Sequence, residues 1–274
     1  MIVKKSSAEM DRMAAAGEIL VRTMNLLATK IRPGVKTIEL DRAAEKFIRS
    51  QGATPAFKGY RGFPGSICVS PNSMIVHGIP GQYALQRGDI VSVDIGVVLD
   101  GWVADAARTF PVGEITPLAR RLLRTTEESL HSAVEQCVAG NRLGDVSSAI
   151  QRHVEEEGFS IVRSLVGHGI GRSMHEEPQI PNYGKPGTGV LLEEGMVLAV
   201  EPMVTAGTHA VRVADDHWSI FSLDGSLAAH FEFTIAITAS GPRILTPWHV
   251  EGAGREREAA GREREAAGRE REPA

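Results

Sequence analysis

The first thirty residues alternate apolar and polar positions with the period of an amphipathic helix. Apolar side chains recur three or four positions apart up to Ile31, and Ser6 and Glu9 have the spacing of a capping box. We expect a first helix that begins after Ser6 and ends at the Pro33-Gly34 pair.

The same signals predict three further helices and several strands. Thr37 precedes a second helix that ends near Gly52, Thr116-Pro117 begins a third that runs to Gly140, and Asp145 caps a fourth that ends at Gly158. Between and after the helices lie β-branched runs with Gly turns, at residues 67–70, 90–99, 102–110, 196–200 and 231–238. This order of elements is typical of an α+β fold with a mainly antiparallel sheet.

One pattern occurs twice along the chain. Residues 88–94 read GDIVSVD and residues 195–201 read GMVLAVE, so each has a Gly, an apolar strand and then a carboxylate. The repetition indicates two halves related by pseudo-symmetry, unless two short apolar strands are alike by chance.

The composition changes near the C-terminus. Residues 251–274 consist largely of a GREREAA-type repeat and have no apolar stripe that could be buried. We therefore expect a catalytic domain over residues 1–250 and a disordered or transiently helical tail over 251–274.

Charge and cysteine usage exclude several classes of function. The net charge is only −4 and no basic stripe is present, which argues against nucleic acid or a membrane as partner. The two cysteines, Cys68 and Cys137, are too few for a disulfide framework or a cysteine zinc site. With no signal-peptide core and no apolar stretch of membrane-spanning length, we expect a soluble cytoplasmic protein.

A two-residue turn sets the register of the central hairpin. Asp100-Gly101 is a strong hairpin signal, so Leu99 should pair with Trp102. The same register places Asp105 opposite Gly96.

Two carboxylates should converge on one face of this hairpin. Asp94 is then diagonal to Asp105, with Cβ atoms roughly 7–8 Å apart, and Gly96 leaves space opposite Asp105 that a bound ion could use, although a Gly there can also mark a bulge. A face simply exposed to solvent is the alternative explanation for the two acids.

Further donors lie in the second half of the chain. His168 lies in a GHGIG stretch whose glycines argue against a helix, permit tight turns and leave little side-chain core around the imidazole. Glu201 ends the repeated strand pattern, and Glu232 lies between Phe231 and Phe233, where a buried charge needs a partner.

The charge of these donors favours two metal ions over one. Four carboxylates carry −4, so one divalent ion leaves −2 and two ions give neutrality. Oxygen-rich ligation with a single imidazole suits Mn²⁺, Fe²⁺ or Co²⁺, with Zn²⁺ as an alternative. Two such ions acidify a shared water and polarise a carbonyl, which is hydrolytic chemistry.

The donors and their surrounding motifs resemble those of the type I methionine aminopeptidases. The five donors occur in the family's order, and VHGIP, VDIG, GHGIG and VEPM surround them, over roughly residues 5 to 240. The resemblance implies the pita-bread fold, in which two pseudo-symmetric halves form a curved, mainly antiparallel sheet covered by helices. It also implies removal of the initiator methionine from nascent proteins when the next residue is small.

The resemblance implies a role for each polar residue. Asp94 would chelate one metal ion, Asp105 and Glu232 would bridge both, and His168 and Glu201 would complete the other ion's shell. Glu201 would also shuttle a proton, His175 would stabilise the oxyanion, and His77 would lie near the nitrogen of the scissile bond.

A methionine pocket is also implied. Its walls map onto apolar residues suited to an unbranched thioether, namely Phe57, Tyr60, Phe63, Cys68, Met174 and Trp218. Cys68 is interpreted as a pocket wall, because no nucleophile pattern accompanies it. Three positions depart from the family: Arg61 and Phe233 stand where His is frequent, and Met174 stands where an aromatic residue is common.

Three other readings remain. Xaa-Pro peptidases share the donor order but usually carry an extra N-terminal domain, and type II methionine aminopeptidases carry an insertion for which the spacing from His175 to Glu201 is too short. A non-catalytic interaction module of the same fold would be expected to lack donors. The resemblance further implies a monomer that acts on nascent chains at the ribosome.

Overall fold

The computed structural model describes residues 2–248. Within this range the helices are α1 Ser7–Ala28, α2 Thr37–Ser50, α3 Pro117–Gln136 and α4 Leu143–Glu156, with a short 3-10 turn at Tyr60–Gly62. The predicted tail, residues 251–274, lies outside the described residues, so the boundary at residue 250 stays a prediction.

The strands are short except for one long hairpin. They are β1 Thr54–Pro55, β2 Cys68–Pro71, β3 Met74–Val76, β4 Ile90–Leu99, β5 Trp102–Pro111, β6 Ser160–Ile161, β7 Val166–Gly169, β8 Glu176–Pro181, β9 Val197–Val200, β10 Met203–Thr205, β11 Val211–Val213, β12 Ile220–Ser222, β13 Ala228–His230, β14 Phe233–Thr238 and β15 Gly241–Ile244. Each described pairing between these strands is antiparallel. The predicted α+β class is confirmed.

Helix boundaries follow the predicted signals, with four corrections. Thr37 is the first residue of α2 and not the residue before it, and α1 already ends at Ala28, before Pro33. The Glu9 carboxylate accepts the Ser6 N–H at 2.9 Å, as the capping box predicts. Asp145 does not precede α4 but is its third residue, where it accepts the Arg142 N–H at 2.7 Å. Helix α3 ends before Gly140, because Cys137 already has a non-helical ψ of 56°.

The central hairpin has the predicted register. Leu99 pairs with Trp102 and Gly96 pairs with Asp105. Strand β4 also pairs with β1 and β2, and α1 packs across β4 and β5. This four-stranded sheet and its helix fix two carboxylates on a buried surface.

The second half supplies a five-stranded sheet in the order β15-β14-β9-β7-β8. His168 lies in strand β7 together with Gly167 and Gly169, so the prediction that these glycines argue against a helix is confirmed. A Cβ at Gly167 would overlap the Ala199 carbonyl, and one at Gly169 would overlap the Glu177 carbonyl. The glycines let neighbouring strands approach closely, and the His168 side chain is buried among these strands.

The repeated sequence pattern corresponds to repeated backbone. Gly88 and Gly195 have φ values of 97° and 96°, and each ends a turn immediately before β4 or β9. In the first copy the carboxylate lies within the strand, whereas Glu201 directly follows β9.

Hydrogen bonds through two threonines join the halves. Thr234 Oγ1 accepts the Asp105 N–H at 3.0 Å and donates to the Asp105 carbonyl at 2.7 Å. Thr109 Oγ1 bonds the His230 backbone in the same reciprocal way, at 2.9 Å to both groups. Between them, the Glu232 N–H donates to the Ala107 carbonyl at 2.9 Å. We call these contacts the threonine seam.

The seam explains why Glu232 lies just before β14 and not inside it. Its N–H is used across the seam, so the ladder with β9 begins at Phe233.

Among residues 2–248, no helix is both long and apolar enough to cross a membrane.

Candidate metal centre

The structure brings the five predicted donors to one cavity. Asp105, His168 and Glu232 are buried, and their ligand atoms lie within 4.8 Å of one another. Asp94 and Glu201 line the same cavity from opposite halves of the molecule. The hairpin and the second-half strands therefore complete a site that neither half contains alone.

Burial is the main cause of a raised pKa at all four carboxyl groups. Burial raises the pKa of Asp94 to about 7 and that of Glu201 to about 8. Burial, followed by the charges of neighbouring carboxylates, also raises the pKa of Asp105 and Glu232. The cluster is costly as four bare anions, and a cation among them would relieve that cost.

The imidazole of His168 has a defined orientation. Nδ1 lies 2.9 Å from the Gly169 carbonyl, which can only accept, so Nδ1 carries the hydrogen. Nε2 then presents a lone pair, 3.6 Å from a Glu201 oxygen and 4.0 Å from an Asp105 oxygen. Burial lowers the His168 pKa to about 4, so the imidazole is neutral at pH 7.

Carboxylate oxygens that are buried without a hydrogen-bond partner also indicate a cation site. Asp94 Oδ1, Asp105 Oδ1 and Glu232 Oε1 are buried without a hydrogen-bond partner among the described residues. Buried acceptors are normally satisfied, and these face one cavity together with the His168 lone pair. The donor set fits divalent metal ions, which bind neutral imidazole and carboxylate oxygen.

Apolar walls border the donors. A cavity of about 160 Å³ joins the cluster to five of the predicted pocket residues, Phe57, Tyr60, Phe63, Cys68 and Trp218. Met174 does not line the cavity but is buried in the same apolar cluster behind it. Burial raises the pKa of the Cys68 thiol well above its usual value, which favours a wall over a nucleophile.

Gly96 makes room for this pocket and not for an ion. A Cβ at Gly96 would lie 2.7 Å from Phe57 Cε1, 2.8 Å from Met174 Cε and 2.9 Å from Ala56 Cβ. The sequence left open whether an ion uses the space opposite Asp105. The side chains of Phe57, Met174 and Ala56 fill that space instead.

The two additional histidines also lie in the cavity wall. His175 Nδ1 is 2.8 Å from the Tyr60 hydroxyl, and the His175 ring centroid is 4.3 Å from that of His168. His77 has a left-handed φ of 59° and its ring meets that of Trp218 edge-on. Burial lowers the pKa of both, that of His77 to about 4, so both are neutral at pH 7.

Sequence reasoning missed two residues of the cavity region. His230 is buried with Nε2 3.5 Å from Glu201 Oε2, and its position two residues before Glu232 in a strand-like run was the available signal. Asn182 donates to the Glu201 carbonyl at 2.9 Å, for which the sequence carried no signal. Arg61, predicted only as a departure, lines the cavity mouth.

Comparison with known proteins agrees with this geometry. Residues 11–239 match metallopeptidase family M24. The methionine aminopeptidase of Clostridium perfringens is 54% identical over 246 residues, which cover 90% of this chain and 99% of that protein.

Solved structures show the same relationship. The methionine aminopeptidase of Thermotoga maritima superposes with a TM-score of 0.89 at 45% identity, over 90% of this chain and 99% of that one. A prolidase from Pyrococcus horikoshii gives 0.73 at 25% identity, over 90% of this chain and 64% of the prolidase. The fold, the metal-binding donors and these similarities together show that the chain belongs to metallopeptidase family M24, among its methionine aminopeptidases.

Proposed function

We propose that this enzyme removes methionine from the N-terminus of peptides whose second residue is small. The observation that carries the proposal is one cavity in which an apolar pocket opens directly onto the carboxylate and imidazole cluster. An unbranched thioether suits walls such as Phe57, Phe63 and Trp218, because it is flexible and makes favourable contacts with aromatic rings.

Two divalent ions are proposed to bind at Asp94, Asp105, His168, Glu201 and Glu232. Charge neutrality supports two ions, and the oxygen-rich set supports Mn²⁺, Fe²⁺ or Co²⁺ before Zn²⁺. When bound, such a pair supplies Lewis-acid catalysis by acidifying a water and polarising the peptide carbonyl.

Glu201 is proposed to move the proton. Its carboxyl group lines the cavity, where it can take a proton from the attacking water and return it to the leaving amine. A fixed position for Glu201 is supported by Asn182, which donates to its backbone carbonyl, and by His230, whose Nε2 lies 3.5 Å from its side-chain Oε2.

His175 is proposed to stabilise charge on the carbonyl oxygen. If the Tyr60 hydroxyl donates to Nδ1, the neutral ring carries its hydrogen on Nε2 and can donate there. His77, also neutral, is proposed to interact with the nitrogen of the scissile bond.

The protein is further proposed to act as a monomer on nascent chains near the ribosome, in the cytoplasm. Its catalytic unit is proposed to end near residue 250, so a chain lacking residues 251–274 should keep full activity. Activity that depends on this segment would contradict the domain boundary.

Peptide release after metal removal tests the proposed function. Chelated enzyme should be inactive, and Mn²⁺ or Co²⁺ should restore release of methionine from Met-Ala-Ser, with metal content measured on the same sample. Xaa-Pro dipeptides should stay intact. Faster cleavage of Xaa-Pro than of Met-Ala-Ser would overturn the assignment.

A further inference from the structure

A buried ion pair connects the N-terminal segment with the turn that carries His175. Lys5 is only 5% exposed, and its Nζ donates to Glu176 Oε2 at 2.7 Å and to the Val3 carbonyl at 2.9 Å. A lysine is rarely buried unless it is paired, so this contact fixes the Lys5 side chain.

The other oxygen of Glu176 holds the turn closed. Oε1 accepts the Arg172 N–H at 2.9 Å and the Ser173 N–H at 3.2 Å. The stem of Lys5 packs on the same turn, because a Cβ at Gly171 would lie 2.5 Å from Lys5 Cε. One carboxylate therefore joins the turn backbone to the N-terminal lysine.

Lys5 is itself anchored to the sheet. Its N–H donates to the Gly195 carbonyl at 2.7 Å, and the Gly195 N–H donates to the Ile237 carbonyl at 3.0 Å. Helix α1 begins two residues later, at Ser7. The lysine thus transmits a fixed position from the second-half sheet to the turn at residues 171–176.

We propose that Lys5 is a positioning residue for His175, acting through Glu176. Glu176 directly follows His175, and its bonds to Arg172 and Ser173 fix the backbone on both sides of His175, so they set where the imidazole meets Tyr60. The inference rests on the proposed function, in which His175 contacts the reacting carbonyl. It gives residues 2–5 a part in catalysis without contact with substrate.

Kinetics of Lys5→Met test this role, with Lys4→Met as matched control. Methionine keeps the length and apolar stem of lysine but loses its charge and hydrogen bonds. Since small misplacements of catalytic groups are costly, kcat should fall about tenfold or more while KM changes less than about twofold. Lys4 forms an exposed pair with Glu193, so its replacement should leave both constants unchanged.

A double-mutant cycle with His175→Ala separates positioning from general structural damage. If Lys5 acts through His175, Lys5→Met should cause little further loss of kcat in the His175→Ala background. An equal loss in both backgrounds, or a loss confined to KM, overturns the proposal. Glu176→Gln gives the same cycle should Lys5→Met fail to fold. Wild-type enzyme that releases no methionine would instead refute the proposed function.

Discussion

Gly96→Ala should narrow the methionine pocket from its inner end. The added Cβ would lie 2.7 Å from Phe57 Cε1, about 0.7 Å inside the 3.4 Å at which ordinary contact begins. Met174 and Ala56 are almost as close, so the new methyl cannot be accommodated by one neighbour moving.

The expected losses of stability and of kcat/KM follow from the size of the space that the added methyl group takes up. Overpacking of this kind costs about 1–3 kcal/mol of folding free energy. A methyl-sized loss in a binding pocket changes kcat/KM by about tenfold to two-hundredfold. Norvaline is one heavy atom shorter than methionine, so its peptides should be affected less.

The assay compares kcat/KM for Met-Ala-Ser and norvaline-Ala-Ser in wild type and variant. The methionine-to-norvaline ratio should fall by about tenfold or more in Gly96→Ala. Gly81→Ala is the control, because its added Cβ meets only the Ile79 carbonyl oxygen at 3.8 Å. An equal loss for both peptides, or an unchanged ratio, would refute the position of the pocket.

Glu201→Gln keeps the shape of the proposed proton carrier, so kcat should fall about a hundredfold or more with an unchanged circular-dichroism spectrum. Thr234→Val leaves the N–H and carbonyl of Asp105 unsatisfied, and urea denaturation should show about 2 kcal/mol or more of lost stability. Chelation should lower the melting temperature and Mn²⁺ should restore it, but much less in Asp105→Asn. In the metal-free protein, burial raises the pKa of Asp94 to about 7 and of Glu201 to about 8, so the folded state holds protons that the unfolded chain releases. That contribution to stability should therefore decline from about pH 4, where the unfolded chain begins to release these protons, to about pH 8, and Asp94→Asn should flatten the decline in melting temperature.

Local signals were sufficient where one interaction sets the structure. The Asp100-Gly101 turn permits one register for its two strands, and this register alone predicted that Asp94 is diagonal to Asp105. The capping box at Ser6 likewise located the start of α1, because both of its bonds lie within four residues.

Contacts between distant segments were beyond such reasoning. The glycines beside His168 argued against a helix, but the structural reason for them is the close approach of the Ala199 and Glu177 carbonyls from other strands, which the sequence could not predict. His230 was missed because its neighbour Glu201 is close only in the folded sheet. The pocket walls were implied by family resemblance alone. Met174 was therefore expected to line the cavity, whereas it is buried in the adjoining apolar cluster.

The threonine seam makes the catalytic centre a joint property of two pieces of chain. Asp94 and Asp105 precede the loop that connects β5 to α3, and the other three donors follow that loop. Ion affinity can therefore arise only when both pieces have folded and docked across Thr109 and Thr234. If the chain were cleaved within residues 112–116, peptidase activity would appear only when the two fragments associate. The rate of methionine release would then measure how much of the protein has assembled.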